Sequence, residues 1–508
     1  MNKNKGITLV ALVITVVILI ILAGVALKFA FDGGIITQAK DSTNQYEEGK
    51  RNDLDFLAQQ EKEQDEVYGK EPDPLPPPAG EPTSTEFSRR YGVIDIVWLD
   101  LNNKVITKPL PIGATELCGL VPVKWAGIPG SYTEQTGVQN DPSSLTDWYE
   151  YIAGTGNNDN NNSIWANAKT SDGNAYFVWI PRYGYKITYF DTQAHANDYR
   201  ADSTSMTGIV GYSNIFGFVN ASDQLLIGSE PTNVTGKVKT VAYSDYIPHP
   251  AFEFDGAKKG IWVGKYESSG SETTVIIKPN TTTSSLITNV RTMFPASQGV
   301  KVTYTLNGDT HMMKNIEWGA VAYLTESKFG RNGTEIYINN SSSYVTGSSG
   351  GSTNASSASG TPNYAYDTPN GVLASTTGNI YGIYDMSGGA FEYVAAYIDN
   401  GNSMLGTWSA PILNNNKYAD IYKATNDTQV KNYEESMGMK GDAVYETSTS
   451  HTGSTSWYNN FSAFPSSSTA VFLRSRCIQW RFKCRVILFF QRLSDIGANL
   501  PIMVSELS

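Results

Sequence analysis

The run from Ile7 to Leu27, ITLVALVITVVILIILAGVAL, carries no charged side chain. A helix of about 20 such residues is what crossing the hydrocarbon core of a bilayer requires. The chain therefore divides into an anchor, residues 1–30, and everything that follows it. Lys3 and Lys5 precede the run, so the positive-inside rule keeps the N-terminus cytoplasmic and sends the rest outward, although Lys28 and Lys40 lie on the other flank. A secretory signal peptide would have a shorter apolar region ending in a small-residue cleavage site. The expected location is the cell membrane, single-pass, with an extracellular head.

Residues 31–68 are polar, with Tyr46, Leu54 and Leu57 forming a partial helical stripe, and read as a solvated stalk helix. Residues 69–90 contain KEPDPLPPPAGEPTS, the composition of an extended polyproline spacer that holds a head away from the membrane. The whole chain's 46 glycines and 12% aromatic content, with the short alternating runs beyond residue 90 broken by Asn- and Gly-rich turns, predict strands and loops. Residues 91–171 read as a small strand-rich lobe or an N-terminal elaboration of the head. Two stretches look helical; the clearer, residues 311–330, places Met313, Ile316, Ala320 and Tyr323 at spacings of three and four. The run SSSYVTGSSGGSTNASSASG is too polar to pack and is expected in a long exposed loop.

Charge and metal-ligand counts narrow the function. A formal net charge of -11 with no basic patch argues against a nucleic-acid partner. Four scattered histidines and three cysteines without a CxxC argue against zinc and His-based hydrolysis.

Two resemblances add to this reading. The segment KGITLVALVITVVILIILAGVAL resembles the N-terminal helix of type IV pilins and pseudopilins, which implies a prepilin peptidase cutting between Gly6 and Ile7. Assembling pilins carry Glu at the fifth position after that glycine, where this chain has Ala11. An intramembrane carboxylate is normally kept for a partner, so its replacement bears against filament assembly.

The ordered stretches YFVWIPRYGYKI, GIWVGKYESSG, NIEWGAVAYL and GNIYGIYDMSGGAFEYVAAY resemble the formylglycine-generating-enzyme (sulfatase-modifying factor) family, a branch of the C-type-lectin-like fold. The resemblance runs from residue 172 onward and implies an α+β head, strand- and loop-rich, over residues 172–474. Its most specific element spans Asp385 to Tyr393, where the family pattern is Asp-Met-Ser-Gly-Asn-Val-Trp-Glu-Trp and Gly389 stands for the family's Asn. It implies calcium held by the side chains of Asp385 and Glu392 and the backbone oxygens of Gly388 and Ala390, since calcium takes six to eight oxygen ligands. The alternative is that Glu392 caps or pairs within the fold. Glu317 and Trp318 match the family's helix motif and read as structural.

Family enzymes use a C-terminal cysteine pair to bind copper. Here Cys477 and Cys484 stand in FLRSRCIQWRFKCRVILFFQRL, basic, apolar and free of glycine, unlike everything before it. Read one base later, the codons of RCIQWRFKCRVILFF allow GVYNGGSSAGLFYFS, aromatic and Gly-rich like the head. Residues 475–508 are accordingly expected to be a frameshifted tail, with a genuine C-terminal helix as the alternative. The expected function is a membrane-anchored, surface-displayed, non-catalytic binding module for an extracellular carbohydrate or protein, with Trp408, Trp457 and Tyr458 as candidate ligand contacts. The alternatives are a minor pilin-like structural subunit and a formylglycine-generating-type oxidase.

Overall fold

The computed structural model describes residues 92–136, 148–155, 162–213, 246–282, 290–341, 343–353 and 364–399, together with short segments between 217 and 238 and between 406 and 491. The anchor, stalk and linker readings lie outside the described residues, among which no helix is long and apolar enough to cross a membrane. The described residues all belong to one compact unit within residues 82–508. It is mixed α and β, rich in strands.

Its largest sheet has seven strands in the order β16-β23-β13-β6-β5-β3-β4. These are β3 (Val121–Ala126), β4 (Thr133–Thr136), β5 (Asn167–Lys169), β6 (Tyr176–Pro181), β13 (Gly260–Gly264), β16 (Asp309–Met312) and β23 (Leu488–Gln491). The central strands β6, YFVWIP, and β13, GIWVG, are apolar at successive positions because both faces are covered.

A second sheet runs β12-β7-β1-β2 with β8 also beside β7. It comprises β1 (Gly92–Leu99), β2 (Val105–Ile106), β7 (Tyr183–Phe190), β8 (Ile209–Ser213) and β12 (Ile247–Pro248). A third is built on β17 (Phe391–Asp399), which lies between parallel β18 (Asp420–Lys423) and antiparallel β21 (Val471–Arg474), with β22 (Cys484–Arg485) also parallel to it. Smaller pieces are β9 (Gly217–Asn220), β10 (Leu225–Ile227) and β11 (Val234–Val238), then β14 (Ser269–Gly270) with β15 (Val275–Ile276), and β19 (Thr455–Ser456) with β20 (Asn460–Phe461).

Among the described residues of 91–171, β1 pairs with β7 along its length, and β3 and β5 extend the sheet that β6 and β13 build. The helices are α1 (Ala114–Leu117), α2 (Gln193–Ala201), α3 (Val290–Thr303), α4 (Asn315–Glu326) and α5 (Ala410–Leu413).

The helix expected around 311–330 begins later, because Asp309–Met312 pairs with β23 as a strand. Lys314 is the N-cap of α4, and its backbone N–H donates to Glu317 Oε2 at 2.8 Å. Every residue from Asn315 to Thr325 is buried, as suits a helix that packs against β1, β6, β17 and the turn Pro250–Phe252.

The low-complexity run is also corrected. Ser341, Tyr344, Thr346, Ser348 and Ser349 are buried rather than looped into solvent, and residues 354–360 lie outside the described residues. Small hydroxyls pack where backbone groups satisfy them: the Thr346 hydroxyl donates to Lys278 O at 2.8 Å, and Ser349 exchanges backbone bonds with Tyr364 at 2.8 and 2.7 Å.

Candidate functional site

The stretch Asn379–Tyr397 leads into β17, and each aromatic in its first half has a fixed task. Tyr381 clasps β3: its hydroxyl donates to Trp125 O at 2.8 Å and accepts from Trp125 N at 3.2 Å. Tyr384 stacks on Tyr266 with ring centroids 5.2 Å apart, and its hydroxyl donates to Tyr366 O at 2.8 Å. Between them the chain wraps around the buried amine of Lys265, which donates to Ile380 O at 2.5 Å and Gly382 O at 2.7 Å. The same amine lies 5.6 and 5.3 Å from the ring centroids of Tyr266 and Tyr384. Burial holds its pKa well below that of an ordinary lysine.

Asp385 then turns the chain, with φ at 66°, followed by Gly388 at 88° and Gly389 at 69°. A Cβ on Gly388 would lie 2.2 Å from Asn339 O, and one on Gly389 would lie 2.2 Å from Glu267 Oε1. The second clash shows why glycine stands at 389: Glu267 fills that space, and its Oε1 accepts from Ala390 N at 2.9 Å.

Of the residues implied for calcium, Asp385 has its carboxylate engaged by N–H donors. Asp385 Oδ1 accepts from Asn339 Nδ2 at 2.7 Å and Gly347 N at 3.1 Å; Oδ2 accepts from Gly347 N at 2.9 Å and Glu267 N at 3.4 Å. These contacts use the carboxylate's four lone-pair directions, and N–H donors aimed at a site oppose a cation there. Glu392 points elsewhere, accepting from Trp318 Nε1 at 2.9 Å, while Ala390 contributes an amide N–H to Glu267. Among the described residues no cluster of three or more His, Cys, Asp and Glu is arranged to hold a metal. Asp385 organises a turn, and Glu392 pairs within the fold.

Trp457 is not a surface contact. It is fully buried, set edge-on against Trp318 at 5.6 Å, and its Nε1 donates to Ser387 Oγ at 3.0 Å. An indole needs a partner for its single donor when buried, and the turn supplies it. Trp408, Tyr458, Gly6, Ile7 and Cys477 lie outside the described residues, and Cys484 is placed only as backbone of β22. Cys118 is buried and forms no disulfide.

A surface cluster that the sequence reading did not single out lies at the far end of the Tyr381 clasp. Trp125 on β3 is buried, and Tyr132, Tyr176 and Tyr366 are half-buried around it. Trp125 stacks on Tyr176 at 6.4 Å and meets Tyr366 edge-on at 6.3 Å. Glu134 on β4 accepts from the Tyr176 hydroxyl at 2.6 Å and pairs with Lys169. Asp367 follows Tyr366, and its carbonyl accepts from Gly130 N at 2.6 Å, tying the β3–β4 turn to the Tyr366 turn.

The result is a shelf of fixed aromatic rings bordered by two carboxylates and an ammonium. The available signal was the spacing in KWAGIPGSYTE, where Trp and Tyr flank a Gly-Ile-Pro-Gly turn between two strands. No protein-family model matches the chain, and no curated protein matches it.

Proposed function

We propose that the chain is a membrane-anchored, surface-displayed, non-catalytic binding module, and that the Trp125–Tyr132–Tyr176–Tyr366 shelf contacts an extracellular carbohydrate. The observation that carries the reading is the shelf itself: the half-buried rings of Tyr132, Tyr176 and Tyr366 backed by buried Trp125, beside Glu134. Ring faces suit the C–H faces of sugars, and Glu134 and Asp367 are acceptors for hydroxyl groups. Prior fixing of the rings removes much of the ordering cost that binding would otherwise carry.

The uncharged run Ile7–Leu27 supports display at a membrane. The resemblance to formylglycine-generating enzymes supports a lectin-like frame, while the position of Cys477 and Cys484 in the compositionally foreign tail supports a role without copper chemistry.

The test is a glycan microarray probed with the detergent-solubilised full chain. Binding to a restricted set of glycans, weakened by Tyr132→Ala and Tyr366→Ala, supports the reading. Binding to an immobilised protein ligand that neither substitution affects would replace it.

A further inference from the structure

We infer that Lys314 and Asp420 are joined by an intramolecular isopeptide bond, a covalent tie between the start of α4 and the start of β18. The pair is buried, Lys314 being 5% and Asp420 2% exposed, and Lys314 Nζ lies 3.2 Å from Asp420 Oδ1. The other carboxylate oxygen, Oδ2, accepts from Ile316 N at 2.8 Å, in the first turn of α4.

One oxygen therefore faces the amine while its twin faces a backbone amide at a helix N-terminus. That is the division of labour an acyl substitution needs: a leaving oxygen on one side and a held oxyanion on the other. The surroundings exclude water. The Phe254 ring centroid is 4.1 Å from Lys314 Nζ, and the same ring meets Lys258 Nζ at 4.2 Å and His311 edge-on at 5.9 Å.

A second carboxylate stands in the same cluster. Glu317 is fully buried, bonded to His311 Nε2 at 3.2 Å and to the Lys314 backbone N–H at 2.8 Å. Burial raises the Asp420 pKa, and the charge of Glu317 raises it further, against the lowering effect of Lys314. Both effects favour the acid form that reacts.

The step balances without an oxidant or cofactor. The Lys314 ammonium passes a proton to Oδ1 of Asp420, giving amine and carboxylic acid. Nζ attacks Cγ, and the negative charge moves to Oδ2, where the Ile316 N–H holds it. A second proton passes directly from Nζ to the adjacent Oδ1; the Cγ–Oδ1 bond breaks, water departs, and a Cγ–Nζ amide remains. The charge of Glu317 serves by favouring the acid form of Asp420. The tie closes a loop of roughly a hundred residues, the kind of span for which a cross-link most restricts the unfolded chain.

Tryptic mapping of the full-length protein by mass spectrometry tests this. The expected result is one branched peptide joining the Lys314 and Asp420 segments, lighter than their sum by one water, and its absence from Lys314→Met and Asp420→Ala. Glu317→Gln preserves the capping box, since Gln serves at that position. In a pulse-labelled culture this variant is expected to form the branched peptide on the order of a hundredfold more slowly. Recovery of two separate, unmodified peptides from folded wild-type protein would overturn the inference and leave an ion pair. Unchanged kinetics in Glu317→Gln would overturn the role given to Glu317.

Discussion

At the scale of single residues, the turn after Tyr384 tolerates little. Gly388 combines a left-handed φ of 88° with a Cβ position 2.2 Å from a backbone oxygen, so Gly388→Ala should cost roughly 2–4 kcal/mol in a urea melt. His249 offers a pH-dependent test. Its Nε2 faces Gly441 O at 2.9 Å, its Nδ1 accepts from Ala251 N at 3.2 Å, and burial pushes its pKa down from 6.5 to about 3. The unfolded chain then binds the extra proton first, so stability present above pH 6.5 is lost as pH falls from there toward 3. His249→Gln should remove that part of the acid-side slope in denaturant melts recorded across this window. The aromatic and glycine content of residues 379–397 announced core pegs around a tight turn, and Tyr381, Tyr384, Gly388 and Gly389 fill those roles. The partners of Asp385 were not legible, because Asn339, Gly347 and Glu267 are distant in sequence and supply N–H groups rather than oxygens.

At the scale of elements, the turn and β17 act as a connector held by hydrogen bonds. Calcium at millimolar concentration, or its removal by chelation, should leave the melting temperature of the head unchanged; a clear rise with calcium would restore the cage reading. Alternation and apolar runs made β6, β7 and β13 readable as strands. Periodicity located α4 but missed its true start, because the residues just before it are claimed by pairing with β23. The Ser- and Gly-rich segment around Thr346 misled for a related reason: composition measures polarity, whereas burial depends on whether neighbouring backbone can satisfy the hydroxyls.

At the scale of the whole molecule, the foreign composition after Ser475 meets a structural fact: β23, from that tail, lies between β13 and β16. In the present frame that strand reads LFFQ and pairs with both neighbours, which bears against a displaced frame. DNA sequencing across codons 470–508 tests the frame directly: a displaced frame would have to supply another strand between β13 and β16, and an intact frame leaves β23 in place. The weave of β1, β3 and β5 into the sheets of β6 and β7 was only half legible, since residues 92–171 carry strand signals but nothing that names their partners. The shelf went unseen for the same reason, as Trp125 and Tyr366 meet only through the fold. The most direct measurement is therefore glycan binding by the full chain. Recognition of a restricted set of sugars is expected, weakening by at least about fivefold, roughly 1 kcal/mol, in Tyr132→Ala and in Tyr366→Ala at a temperature where both variants remain folded. Absence of any glycan binding, or binding indifferent to both substitutions, would contradict it.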